Sequence, residues 1–151
     1  MPNRILFLCT GNYYRSRFAE EFFNHHAARH RLDWVADSRG LALERGSFNI
    51  GPISHYTLEA LKARGIRLRE PLRMPKALCD EDLKQADRVI ALKETEHRPL
   101  MREQFADWCD RVDYWEVHDL DGSTPAEAMG EIERRLTLMI DSLIGEEDDS
   151  G

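Results

Sequence analysis

The chain has 151 residues, 42% of them hydrophobic and 32% charged, which is enough apolar material for one core and too little length for two ordinary domains. A formal charge of -7 repels nucleic acid and anionic lipid at long range, so neither is expected as a partner, and any phosphate site has to be a local island of positive potential. Cys9, Cys79 and Cys109 are an odd number without disulfide-like spacing, and no apolar stretch has the length of a signal-peptide core or a membrane span, so a soluble, cytoplasmic, monomeric protein with reduced thiols is expected.

The first element is the continuous apolar run from Arg4 to Cys9, which suits a strand covered on both faces. A glycine-containing turn follows, and from Ser16 the apolar positions Ala19, Phe22, Phe23 and Ala27 recur at helical spacing. Trp34 to Ala36 reads as a second short strand. An irregular connection then runs from Gly40 to Pro52, long enough to suggest a function. Ser54 caps a helix through Leu58 and Leu61 that stops at Gly65. After a second irregular stretch from Leu68 to Cys79, residues Asp80, Glu81 and Asp82 put negative charge on the first turn of a short helix.

Arg88 to Leu92 is the third strand, followed by a helix from Glu94 to about Trp108, and Val112 to Val117 is the fourth strand. Thr124-Pro125-Ala126-Glu127 combines a capping box with proline at the first helical position, opening a last helix that ends near Gly145. Residues 1–145 thus form one domain, and 146–151 are expected to be an acidic, frayed tail. Four apolar strands alternating with helices predict an α/β fold: a three-layer, flavodoxin-like arrangement with a four-stranded parallel sheet and helices on both faces. Ligands in such folds bind beyond the carboxyl ends of the strands, at the loops following Cys9, Ser38, Leu92 and Val117.

The segment Cys9-Thr10-Gly11-Asn12-Tyr13-Tyr14-Arg15-Ser16 places a cysteine and an arginine on either side of five residues, between a strand end and a helix start. Five residues can curl so that successive N–H groups point inward, making an anion nest completed by the helix N-terminus. Arg15 can close the ring with a planar two-point grip on phosphate oxygens. The same positive surroundings favour the thiolate of Cys9, the form that attacks phosphorus. Gly11, or next to it Asn12, suits a position of positive φ, and Ser16 can donate its hydroxyl to the sulfur. A buried structural thiol is the plainer account of Cys9, but it leaves Gly11, Asn12, Arg15 and Ser16 without a reason.

This set resembles the low-molecular-weight protein tyrosine phosphatase family, in which Cys, five residues, Arg and then Ser or Thr follow the first strand. Cys9, Thr10, Gly11, Asn12, Arg15 and Ser16 match residue by residue, and Gly51, Ala86-Asp87 and His97 fit the order of elements. The resemblance implies phosphomonoester hydrolysis through a cysteinyl phosphate, acting on phosphotyrosine in proteins or on small aryl phosphates. It also implies an oxyanion-binding loop at residues Thr10 to Ser16, Tyr13 and Tyr14 included, and no metal or organic cofactor. The family's general acid lies in an Asp-Pro loop after the fourth strand. Asp119 falls there with Leu120 in place of the proline, and Asp121 is its rival.

Three departures stand out. Tyr14 occupies the place where many members have a second, protective cysteine. Leu120, Asp121 and Gly122 replace an aromatic pair, so Tyr13 and Phe48 are expected to wall the slot instead, and Tyr13 stands where members acting on phosphoarginine are expected to have threonine. Arg17 replaces a proline at the start of the first helix and reads as a solvated arginine or as a charge favouring acidic substrates. The same fold could serve as a non-catalytic phosphoprotein-binding module. Thiol-linked arsenate reduction would need cysteines after the third strand, where Lys93 to His97 offer none.

Overall fold

Successive side chains of the first strand, β1 (Asn3–Cys9), point to opposite faces of a sheet, and both faces are covered. Ile5 and Phe7 enter one apolar cluster while Leu6 and Leu8 enter another, which is why the run is apolar without alternation. The computed structural model describes residues 2–117 and 124–150.

The elements follow in the order α1 (Arg15–Arg29), β2 (Trp34–Gly40), a single 3-10 turn at Leu43–Gly46, α2 (His55–Ala63), α3 (Asp80–Gln85), β3 (Arg88–Ala91), α4 (Glu94–Gln104), a 3-10 segment at Ala106–Arg111, β4 (Asp113–Tyr114) and α5 (Pro125–Ser150). The sheet has four parallel strands in the order β2-β1-β3-β4. Helices α1, α2 and α5 cover one face, where Phe18, Phe23, Leu61, Ile132 and Leu136 pack on Ile5 and Phe7. Leu83 of α3, Leu100 and Met101 of α4 and Cys109 cover the other, against Leu6, Leu8 and Val89. The three-layer α/β expectation therefore holds. Among the described residues no helix is long and apolar enough to cross a membrane.

The capping signals read as expected. The Ser54 hydroxyl accepts the Tyr56 N–H at 3.2 Å, Gly65 ends α2 with φ +77, and Thr124 and Glu127 bond reciprocally at 3.1 and 3.4 Å. Four boundaries differ. β2 runs on to Gly40 through the polar residues Asp37, Ser38 and Arg39: Ser38 is engaged in the site below, while Arg39 pairs with Asp37 at 2.7 Å and with Asp82 at 3.2 Å. α4 stops at Gln104, where Phe105 leaves helical geometry and a 3-10 segment begins. β4 is only two residues long, Asp113 and Tyr114 pairing with Ile90 and Ala91, and beyond it the Trp115 and Val117 N–H groups donate to the Ala91 and Leu92 carbonyls at 2.8 and 2.7 Å. α5 does not stop at Gly145 but continues to Ser150, and the Glu147 carboxylate accepts the Asp33 N–H at 2.9 Å, next to the start of β2.

The strand order reverses between β1 and β3, since the chain leaves β1 toward β2 and later returns on the other side. The crevice at this switch point lies between the loop after β1 and the start of α4.

Candidate active site

Residues 10–14 link β1 to α1, and the carbonyls of Cys9, Thr10, Asn12, Tyr13 and Tyr14 are taken from outside the loop. Cys9 O accepts the Leu41 N–H at 2.9 Å, Thr10 O the Ala42 N–H at 2.9 Å and Tyr13 O the Ser54 N–H at 2.9 Å. The Tyr14 carbonyl accepts the Thr57 hydroxyl at 2.9 Å, and that of Asn12 accepts Arg17 at 3.4 Å. Among the described residues the N–H groups of Gly11, Asn12 and Tyr13 have no backbone carbonyl partner. Turning the acceptors outward leaves the donors for an anion, the arrangement of a nest at a helix N-terminus.

The positive φ the loop needs falls on Asn12, at +50, and not on Gly11. Asn12 is fully buried, and its side chain is saturated: Nδ2 donates to Ser16 Oγ at 2.9 Å and to Ser38 Oγ at 2.8 Å, while Oδ1 accepts from Arg73 at 3.1 Å and from the Lys76 N–H at 3.0 Å. Ser16 Oγ lies 2.8 Å from Cys9 Sγ. Asn12 Nδ2 donates to that hydroxyl, which leaves the Ser16 proton free to point at sulfur. Asn12 and Ser16 thus support the loop from behind, while Cys9, Thr10, Gly11, Tyr13, Tyr14 and Arg15 border a cavity of about 650 Å³ in front of it. Cys9 is only 2% exposed, but that exposure is to the cavity.

Arg15 is held by the first turn of α1, is 4% exposed, and donates to the Val117 carbonyl at 3.2 Å. Its other terminal nitrogen lies 3.4 Å from the carboxylate of Glu96, which also lines the cavity. The Thr10 hydroxyl donates to the same Glu96 oxygen. His97, fully buried, accepts the Lys93 N–H on Nδ1 at 3.0 Å, so its Nε2, 3.2 Å from Thr10 Oγ1, carries the proton in the neutral ring. The sequence reading gave Glu96 and His97 no part in the site. Both come from the start of α4, across the switch point, and their spacing alone carries no signal.

Arg17 is the clearest correction. It is neither solvated nor at the pocket mouth: at 2% exposure it donates to the carbonyls of Asn12, Pro52 and Arg73. Burial and the nearby Arg73 charge hold its pKa below the usual arginine value, and Glu20, Glu21 and Cys9 offset them only in part. Arg73 in turn donates to Glu20 at 2.9 Å and to Ser38 Oγ at 3.1 Å. The front of the cavity is aromatic. The Tyr13 hydroxyl donates to the Ile50 carbonyl, Tyr14 and Tyr56 meet edge to face at 6.5 Å, and Phe48, 93% exposed, stands on the rim. Asp119 and its rival Asp121 lie outside the described residues.

The family model of the low molecular weight phosphotyrosine protein phosphatase matches residues 4–147. The chain belongs to that family. It is 31% identical over 108 residues to the protein-arginine-phosphatase of Bacillus subtilis, a match covering 72% of this chain and 67% of that protein. A low molecular weight protein tyrosine phosphatase from T. tengcongensis superposes with a TM-score of 0.77 at 28% identity, covering 93% of this chain and 99% of the other. A cysteine-to-serine mutant of the YwlE arginine phosphatase, with its active-site serine phosphorylated, gives a TM-score of 0.76 at 25% identity over 93% and 95% of the two chains. Family and relatives make this chain a phosphatase.

Proposed function

We propose that this chain hydrolyses phosphomonoesters, phosphotyrosine in proteins first among them, through a phosphate carried on Cys9, as a cytoplasmic monomer. The observation that carries the reading is the 2.8 Å approach of Ser16 Oγ to Cys9 Sγ at the base of a cavity bordered by Arg15. A structural thiol needs no such donor. A nucleophile does, because the hydroxyl stabilises the thiolate before attack and again when it leaves.

In the first step Cys9 Sγ attacks phosphorus, the S–P bond forms as the P–O bond breaks, and Asp119 gives its proton to the departing oxygen. The loop N–H groups and the Arg15 guanidinium hold the equatorial oxygens throughout. In the second step Asp119, now a carboxylate, takes a proton from water. The water oxygen bonds to phosphorus, and the S–P bond breaks to return the thiolate. The phosphorylated active-site serine of the YwlE mutant supports a covalent route in a relative of the same fold.

Tyr13, Phe48 and Tyr56 border the cavity and suit a flat phenyl ring. Phosphoarginine is the second reading, favoured by the identity to protein-arginine-phosphatase. The bulk of Tyr13, pinned on the Ile50 carbonyl, stands against it.

The test is turnover of an aryl phosphate and of matched phosphotyrosine and phosphoarginine peptides by wild type, Cys9→Ser and Asp119→Asn. Cys9→Ser is expected to lose nearly all turnover while still binding vanadate, and Asp119→Asn to lose much of it. Wild type as inert as Cys9→Ser, with both binding a phosphopeptide alike, would replace hydrolysis by a binding role. Faster release from phosphoarginine would reverse the substrate order.

A further inference from the structure

Two loops wall the phosphate site, residues 10–14 after β1 and 41–54 after β2, and a third, residues 66–79 between α2 and α3, packs behind the first through Arg73 and the Lys76 N–H on Asn12. One side chain touches all three. The Arg17 guanidinium donates to the carbonyl of Asn12 in the first loop at 3.4 Å, of Pro52 in the second at 2.9 Å and of Arg73 in the third at 2.7 Å. Its Nε is buried with no partner among the described residues, so the side chain is not held there by complete satisfaction of its donors. What it gains are carbonyls that only a planar, forked cation can collect together.

From this geometry we infer that Arg17 is a positioning residue for oxyanion binding, a clasp behind the phosphate loop that keeps the Asn12 carbonyl turned out and the neighbouring N–H groups turned in. The inference rests on the proposed role of the loop and adds a residue to it. Asn12 is the point of leverage. It carries the loop's positive φ, and its side chain is fastened by Arg73, the residue whose own carbonyl Arg17 holds. Release of Arg17 frees the Asn12 carbonyl directly and the Arg73 anchor indirectly. Both movements let an acceptor swing toward the place where phosphate oxygens sit. Arg17 touches no substrate on this account, since it does not border the cavity in front of the loop.

Two variants test the clasp. Arg17→Met keeps the length and apolar stem and removes every donor, whereas Arg17→Lys keeps the charge but places one ammonium where three carbonyls diverge. Vanadate affinity is measured for each, together with the rates at which iodoacetate and iodoacetamide alkylate Cys9, read by mass spectrometry. Wild type is expected to prefer the anionic reagent, because the nest draws its carboxylate in. Both variants are expected to bind vanadate about tenfold more weakly, the scale of one charge-assisted hydrogen bond, and to lose that preference.

A lowered melting temperature with vanadate affinity and reagent preference intact would reduce Arg17 to a structural residue and overturn the inference. Recovery of both by Arg17→Lys would overturn it too, leaving charge alone as the cause. If Arg17→Met does not fold, Arg17→Lys still decides. Wild type that cannot hydrolyse aryl phosphates, yet shows the expected oxyanion results, would sink the proposed hydrolysis and leave the clasp standing.

Discussion

The Glu96 carboxylate faces the Arg15 guanidinium at 3.4 Å on the wall of the phosphate cavity, and the same oxygen takes the Thr10 hydroxyl. Glu96 therefore aligns the clamp, while its negative charge opposes an entering dianion. Glutamine at this position keeps the acceptor and removes the charge. Vanadate and inorganic phosphate are expected to inhibit Glu96→Gln at about fivefold lower concentration, roughly 1 kcal/mol at the effective dielectric of a partly buried site. Unchanged or weaker inhibition would show that alignment of Arg15 outweighs the repulsion.

Gly40 sits where β2 passes under the phosphate loop. A Cβ there would lie 2.9 Å from the Thr10 carbonyl oxygen, 3.2 Å from Asn12 Cβ and 2.5 Å from Leu43 Cδ2. Leu43 can swing aside, but the Thr10 carbonyl is fixed by the Ala42 N–H. Gly40→Ala is expected to cost about 1–3 kcal/mol in urea unfolding and to lower turnover with it. Gly130, inside α5 with nothing within 4 Å of its Cβ position, is the control, and alanine there is expected to stabilise by up to about 1 kcal/mol.

What the sequence made legible follows from how local each signal is. The phosphate loop is a fixed spacing between a strand and a helix, and β1 announces its two covered faces by an unbroken apolar run, so both could be read from one stretch of chain. Arg17 could not. Its burial depends on carbonyls 35 and 56 positions away, and at the start of a helix a charged residue looks like surface. Glu96 and His97 reach Thr10 across more than 80 positions for the same reason. Gly145 looks like a stop, yet the helix passes through it, and the Glu147 carboxylate beyond it meets the Asp33 N–H, a partner 114 positions away that no local pattern records. β4 pairs over Asp113 and Tyr114 alone, because pairing is settled by how the neighbouring strand lies alongside, and the apolar pattern from Val112 to Val117 does not record that.

Glu21 gives the fold a pH dependence near neutrality. Burial and the adjacent Glu20 carboxylate raise it from 4.5 to about 7. Between those values the unfolded chain releases a proton that the fold retains, so stability falls as pH rises through the window and stays low above it. Glu21→Gln is expected to be more stable than wild type at pH 8 by about 1 kcal/mol, less than the shift alone implies because the site is partly solvated. The gain should fade toward pH 4.5 in denaturant titrations. A gain independent of pH would place its cause in packing.

Oxidation supplies the last test. Cys9 pairs with Gly40 in the sheet, and Gly40 in turn bridges to Ala77, which puts that segment about two strand spacings, roughly 10 Å, from Cys9. Cys79 follows Ala77 at the start of α3, and a disulfide needs Cα atoms within about 7 Å. Cys109 is buried in the cluster on the α3 and α4 face, beside the Tyr114 hydroxyl. Tyr14 stands where many relatives are expected to have a resolving thiol. Peroxide is therefore expected to carry Cys9 from sulfenic to sulfinic and sulfonic acid, with activity recoverable by thiol reductant only early in the exposure. Tyr14→Cys should convert that loss into one that reductant reverses at any time, through a Cys9 disulfide to the new neighbour. Peptide mapping decides: a disulfide from Cys9 to Cys79 or Cys109 in the wild-type protein would show that the loops open far enough to bring a distant thiol in, and the unprotected nucleophile would have to be given up.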